Sequence, residues 1–401
     1  MSDKHNTTLG RIYCDFAAST PVAPEVMAEM MPYWSEHFGN ASAVHAEGRA
    51  AKEAIESARA RCAEVIGGTA NGIYFTSGGT EGNNFAVFGV VDAYLAKTGK
   101  SLNEVHIITL SVEHSSLLDC VRLLERRGAS VTYLPVDREG RLDLNDLREA
   151  LRPETVLVSL MLVNSEIGVV YPLKECVHII REYRRIVEQP DGTMMYPVFH
   201  TDASQGCVYL DCDVRKLGVD VITMDAQKVY GPKGVGFVHV ARGVPIAPVL
   251  HGGGQERGLR PGTPNTPLIV GMAKAFELAN ERRDAEVERM TPLRDHFIDR
   301  VLAEVPGAEL NGARDTRIAN NASIAIPGKH AEMLLLRLDS MGIACSTKSP
   351  CKGVSGGSHV ILALGKGEAC ATGTLRFSFG RSTTAQDIDR VVDALAEVVK
   401  I

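Results

Sequence analysis

A cysteine in a polar loop between two cations is a candidate nucleophile. Residues 345–359 read Cys-Ser-Thr-Lys-Ser-Pro-Cys-Lys-Gly-Val-Ser-Gly-Gly-Ser-His, which sets Cys351 between Lys348 and Lys352. Nearby ammonium groups stabilise a thiolate, although an incidental loop thiol would look the same. Lys228 lies in Asp225-Ala-Gln-Lys-Val-Tyr-Gly-Pro-Lys-Gly234, after an apolar run. A desolvated lysine there can lose its proton and form a Schiff base; a solvated surface lysine is the plainer reading. Thr76-Ser-Gly-Gly-Thr-Glu-Gly-Asn-Asn84 suits a phosphate cradle, with Gly79 for close approach and Thr80 offering a hydroxyl. It equally suits a strand-to-helix turn. Asp202, in Phe199-His-Thr-Asp-Ala-Ser-Gln205, either caps a helix or holds a cationic ring nitrogen. Arg376 and Arg381, in Leu-Arg-Phe-Ser-Phe-Gly-Arg, either grip a carboxylate or form structural ion pairs.

Elements that would position these groups follow from the hydrophobic pattern. Strands are expected at Ile73–Thr76, Val105–Leu110, Val131–Val136, Thr155–Val163, Val198–Thr201, Val219–Met224 and Val235–Val240. Amphipathic stretches such as Ser116–Arg127 and Leu173–Val187 lie between them. This alternation predicts a mostly parallel, doubly wound α/β sheet, with ligands beyond the carboxyl ends of the strands. Residues 252–267 are rich in glycine and proline and read as a loop. A long charged helix is expected at Leu268–Val305. Strands Ala322–Ile326 and Leu375–Phe379, with helices near Ala331–Met341 and Ala385–Val399, suggest a small α/β domain. Thr384 and Asp387 have capping-box spacing at the start of the last helix.

The 401 residues suffice for two or three domains, or for a large domain with a smaller one attached. A net charge of −6 argues against nucleic acid or a membrane surface as the main partner. There is no apolar run of bilayer length, and the polar opening MSDKHNTTLG does not resemble a signal peptide, so the cytoplasm is expected. Nine cysteines without a CxxC pair read as reduced thiols, not as a disulfide framework or a zinc site.

Taken in order, these segments resemble the cysteine desulfurases of iron–sulfur assembly. The match runs from Tyr13-Cys-Asp-Phe-Ala-Ala-Ser-Thr20 nearly to the C-terminus. It includes Gly39-Asn-Ala-Ser-Ala-Val-His45, Gly78-Gly-Thr-Glu81, Val112-Glu-His-Ser115, Val163-Asn-Ser-Glu-Ile-Gly168, Gly252-Gly-Gly-Gln-Glu256, Gly262-Thr263 and Ser358-His359. The resemblance implies a fold-type-I transferase that uses pyridoxal 5'-phosphate and no metal. A large doubly wound domain over 21–262 would be followed by a small α/β domain over 263–401 carrying the cysteine loop, with 1–20 joining the small domain. The chain would form a homodimer with active sites at the interface. Lys228 matches the Schiff-base lysine, and His114 the histidine that stacks on the cofactor ring and moves protons. Asp202 matches the partner of the ring nitrogen, and Gln205 the contact to the ring hydroxyl. Gly79 and Thr80 match the phosphate cradle, and Thr263 a phosphate contact from the other subunit. Asn40, Asn164 and Arg376 match the substrate side. Cys351 matches the cysteine that takes sulfur from L-cysteine as a persulfide, leaving alanine, and passes it to an iron–sulfur scaffold or sulfur carrier.

Two segments depart from the family. The usual run Ser-Ala-His-Lys is here Asp225-Ala226-Gln227-Lys228. In the family that Ser and His touch the cofactor phosphate. A carboxylate beside a phosphate is unfavourable unless protonated, turned away or paired, whereas Gln227 can still donate a hydrogen bond. Near the reactive cysteine, Lys348-Ser-Pro-Cys351 replaces the common Gly-Ser-Ala-Cys.

Overall fold

β-Branched and apolar runs that alternate with amphipathic stretches can hide both faces only inside a covered sheet. In the computed structural model, which describes residues 10–187, 196–347 and 357–400, seven of them do so. They are β1 (Ile73–Thr76), β2 (His106–Leu110), β3 (Ser130–Leu134), β4 (Thr155–Ser159), β5 (Val198–Asp202), β6 (Val221–Asp225) and β7 (Gly236–Val240). Their order across the sheet is β1-β7-β6-β5-β4-β2-β3. Pairings from β6 through β5, β4 and β2 to β3 are parallel. β7 runs antiparallel to both β6 and β1. Helices α1 (Gly79–Thr98), α2 (Ser115–Arg126) and α3 (Leu173–Ile186) alternate with the strands. The expected strand Thr155–Val163 ends as regular structure at Ser159. Its apolar run continues because Leu160 and Leu162 still donate to the carbonyls of His200 and Asp202 while remaining buried.

The 39-residue α4 (Thr266–Glu304) leads into a three-stranded antiparallel sheet. Its strands β8 (Glu309–Leu310), β9 (Asn321–Ala325) and β10 (Thr374–Ser378) lie in the order β10-β9-β8. Helices α5 (Ala331–Ser340) and α6 (Ala385–Val399) follow the pattern expected of them. The capping box of α6 forms, with Thr384 and Asp387 satisfying each other's backbone N–H groups. Phe297 of α4 packs on Phe377 and Phe379, with ring centroids 4.9 and 5.2 Å apart. The N-terminal segment joins this part: Ile12–Tyr13 pairs in parallel with Ile343–Ala344.

A helix at Ala46–Val65 and a short turn inside the Gly/Pro-rich stretch were not expected. That turn, Gln255–Gly258, places Glu256 and Arg257 in left-handed backbone conformation. It is held by a buried ion pair. Both Nη atoms of Arg59 lie 2.7 Å from the carboxylate oxygens of Glu256, and Phe75 N–H donates to the same carboxylate at 3.0 Å. Arg59 also stacks 4.5 Å from the Phe75 ring centre. Two buried charges survive there because each is paired and hydrogen-bonded.

Candidate active site

A cavity of about 230 Å³ opens beyond the carboxyl ends of the parallel strands. Each wall is the end of one element. Lys228 closes a short turn after β6, where the Asp225 side chain accepts from Gln227 N–H at 3.2 Å. Asp202 ends β5. His114 caps α2, and Gly79 and Thr80 open α1 after Gly78, whose φ of 140° is ruinous for a residue with a Cβ. Arg376 enters from β10, and Ala17 and Ala18 from the N-terminal segment. Of the candidates, Lys228, His114, Gly79, Thr80, Asp202, Gln205, Asp225, Gln227 and Arg376 all line this one space.

Lys228 Nζ donates to the carbonyls of Ala17 at 2.9 Å and Ala18 at 2.7 Å. Burial pushes its pKa below the ordinary lysine value, opposed by the Asp225 carboxylate. Such an amine spends more time neutral, as a nucleophile or base must. Tyr230, two residues on, has a left-handed φ of 63° and is pinned by Thr20, which accepts from its N–H at 2.9 Å. Gln205 Nε2 donates to Ala17 O at 2.9 Å.

Asp202 accepts from Ser204 N–H at 3.0 Å and Asn83 Nδ2 at 2.7 Å. Burial lowers the pKa of His114, with Asp202 opposing, so the imidazole is mostly neutral at pH 7. Behind it, Glu113 is buried, one oxygen taking the Met161 N–H at 2.6 Å. Burial drives its pKa far up.

Arg376 is buried and spends Nη2 on Asp15 at 2.8 Å and Nη1 on Ser165 O at 3.1 Å. Its Nε is buried with no hydrogen-bond partner among the described residues. The ion pair and the Ser165 carbonyl therefore hold the guanidinium beside the cavity that Arg376 lines. Ser204 Oγ is likewise buried without a partner. Asp225 sits in the cradle at the start of α1. Its Oδ2 accepts from Gly79 N–H at 3.3 Å and from Gln227 Nε2 at 3.0 Å.

Other candidates fall elsewhere. Asn164 is buried and committed to backbone: Nδ2 donates to Val112 O at 2.9 Å, and Oδ1 accepts from the N–H groups of Glu166 and Ile167. Asn40 and Thr263 are exposed and do not line the cavity. Arg381 stacks on Tyr230, 4.1 Å from its ring centre. Cys351, with Lys348 and Lys352, lies outside the described residues. The eight described cysteines are all buried and free. Among the described residues no cluster of three or more His, Cys, Asp or Glu side chains suits a metal ion. The site residues that sequence reasoning missed are Asn83 and Ser116, which bridge Asp202 and His114. A buried polar Asn amid Phe85, Ala86 and Val87 was the available signal.

The family described as Aminotransferase class-V matches residues 12–391. The protein named cysteine desulfurase IscS of Dictyoglomus turgidum is 43% identical over 390 residues, spanning 97% of this chain and 94% of that one. Its namesake in Methanosarcina thermophila is 41% identical, spanning 97% and 92%. Among solved structures, a NifS-like protein superposes with a TM-score of 0.88 at 32% identity, covering 97% of this chain and 99% of its own. A structure described as SspA in complex with cysteine gives a TM-score of 0.76 at 33% identity, covering 92% and 98%.

Proposed function

The chain belongs to the class-V aminotransferases and, within them, to the pyridoxal-phosphate-dependent cysteine desulfurases, and from that premise we propose how its own residues divide the work. The single observation that carries the assignment is the meeting of Lys228, His114, Asp202 and Arg376 in one cavity. The residues fit the cofactor. A lysine amine depressed by burial faces a fixed carboxylate, and the unpartnered Ser204 Oγ and the start of α1 offer polar contacts for a phosphate. When bound, pyridoxal phosphate supplies an electron sink for charge developing at the substrate Cα.

Asp202, tied by Ser204 and Asn83, would hold a positive charge on the ring nitrogen. Lys228 would anchor the cofactor and, once released, take the proton from the substrate Cα and return a proton there before alanine leaves. Arg376 would receive the substrate carboxylate, with Asp15 and Ser165 keeping the guanidinium still. His114 would move a proton near the substrate sulfur. The Cys351 thiolate would attack that sulfur as the substrate C–S bond breaks. The sulfur stays on Cys351 as a persulfide, and the substrate's thiol proton ends on the carbon skeleton, which leaves as alanine.

Several assignments extend this reading. The exposed Thr263 suits a contact to the cofactor of a second copy, hence a homodimer. The persulfide would be delivered to an iron–sulfur scaffold or sulfur carrier. Pairing of Ile12–Tyr13 with Ile343–Ala344 supports placing 1–20 with a small unit, 263–401, apart from a large unit, 21–262. No described helix is long and apolar enough to cross a membrane. Free, buried cysteines suit a reducing compartment such as the cytoplasm.

The test is alanine production from L-cysteine with a thiol reductant. Wild type should form alanine. Lys228→Ala and Cys351→Ala should form almost none, the second while keeping the near-visible colour of the bound cofactor. Full activity in Cys351→Ala would overturn the role given to that residue.

A further inference from the structure

Asn83 and Ser116 form a directed chain of hydrogen bonds between two groups of the active site. Asn83 is wholly buried on α1. Its Nδ2 lies 2.7 Å from Asp202 Oδ2 and 2.8 Å from Ser116 Oγ. An amide nitrogen has two hydrogens to give and no acceptor capacity, so one goes each way. Turning the amide over would set its carbonyl oxygen against the Asp202 carboxylate. The charge of Asp202 therefore dictates the orientation, even though it leaves Asn83 Oδ1 buried with no partner among the described residues. Natural proteins keep such a loss where it serves a site.

The other end is set by backbone. The N–H of Ser116 donates to His114 Nδ1 at 3.2 Å, so Nδ1 presents its lone pair. Ser116 Oγ, 2.8 Å from the same nitrogen, then gives its one proton to it and accepts from Asn83. A neutral imidazole in that setting carries its proton on Nε2.

We propose that Asn83 and Ser116 are positioning residues that fix His114 as the Nε2–H tautomer, so that the proton His114 exchanges during turnover is the one on Nε2. The catalytic part rests on the role of His114 given above. The tautomer does not, because every link is within the chain.

The experiment uses cofactor-loaded protein labelled with ¹⁵N-histidine. Two-bond proton–nitrogen correlations distinguish a protonated from an unprotonated ring nitrogen, and the His114 signals are those that vanish in His114→Gln. Wild type should show Nε2 protonated and Nδ1 bare near neutral pH. Ser116→Ala should leave about half of His114 in the Nδ1–H form and lower kcat about twofold, in proportion to the Nε2–H form lost, with little change in KM for cysteine. Ser116→Thr, which keeps the hydroxyl, should restore both signals and rate. An Nδ1–H tautomer in wild type, or Ser116→Ala with unaltered signals and kcat, would overturn the proposal. Should wild type make no alanine while its His114 is Nε2–H, the tautomer assignment stands and only the catalytic role fails.

Discussion

Replacing Asp225 with serine should tighten the hold on pyridoxal phosphate. Asp225 Oδ2 already occupies the Gly79 N–H at 3.3 Å, a donor that opens α1 and faces the cavity. An anion that shared this donor would come within about 6 Å of the carboxylate, the sum of two hydrogen-bond lengths. At an effective dielectric near 20, two unit charges at that separation repel by about 3 kcal/mol. The cavity is open to water and Gln227 Nε2 offsets part of the charge, so half of this is a sound expectation. Half corresponds to roughly tenfold in Kd. The assay is equilibrium dialysis of the cofactor-free protein against pyridoxal phosphate and against phosphate-free pyridoxal. Asp225→Ser and Asp225→Asn should bind the phosphate ester about tenfold more tightly and pyridoxal about equally. Unchanged or weaker binding of the ester in both variants would refute the electrostatic argument and assign Asp225 a supporting role in the cradle.

The same carboxylate opposes the effect of burial on Lys228, so its removal should lower the Lys228 pKa further. Less ammonium then persists at a given pH, and the pH profile for capture of pyridoxal by cofactor-free Asp225→Asn should shift toward acid; a shift toward base would be contrary. Arg376→Lys discards the planar donor fork that spans Asp15, Ser165 O and the cavity. It should raise KM for cysteine at least about tenfold, measured by alanine formation, since a point-charge ammonium cannot replace a guanidinium there. Glu256→Ala leaves the buried Arg59 only the half-exposed Glu56 and the Ile73 carbonyl as partners. It should destabilise the fold by about 3 kcal/mol, read as a lower urea midpoint with an unchanged slope.

Much of this architecture is written locally. Buried parallel strands announce themselves as short β-branched runs, so the seven strands of the large sheet were read to within a few residues, save for the overrun at Thr155–Val163. Lys228, Asp202 and His114 were legible because each sits just past a strand in a segment whose residue types recur together in one family. Other features are set by partners far away in sequence. Arg59 and Glu256, 197 positions apart, stabilise a left-handed turn that a Gly/Pro-rich stretch disguised as featureless loop. Helix Ala46–Val65 escaped notice because alanine, glutamate and arginine make its apolar stripe faint. Asn83 is an ordinary helix residue until Asp202 and Ser116 are brought beside it by the sheet. At Asn164 the amide meets the carbonyl of Val112, far away in sequence, as well as the N–H groups of Glu166 and Ile167, and no local pattern announces the first contact.

The cavity draws on Ala17 and Ala18 near one end of the chain and Arg376 near the other. Its completion is therefore a late event in the life of the polypeptide. A ribosome that has made Lys228, His114 and Asp202 has supplied much of the cavity lining, but Arg376 still lies some 150 residues ahead. Until β10 is synthesised and pairs with β9, the carbonyls that steady Lys228 lack the neighbouring strand to which Asp15 and Arg376 tie them. Contacts this remote in sequence form slowly. Chains terminated before β10 should thus form no alanine from L-cysteine.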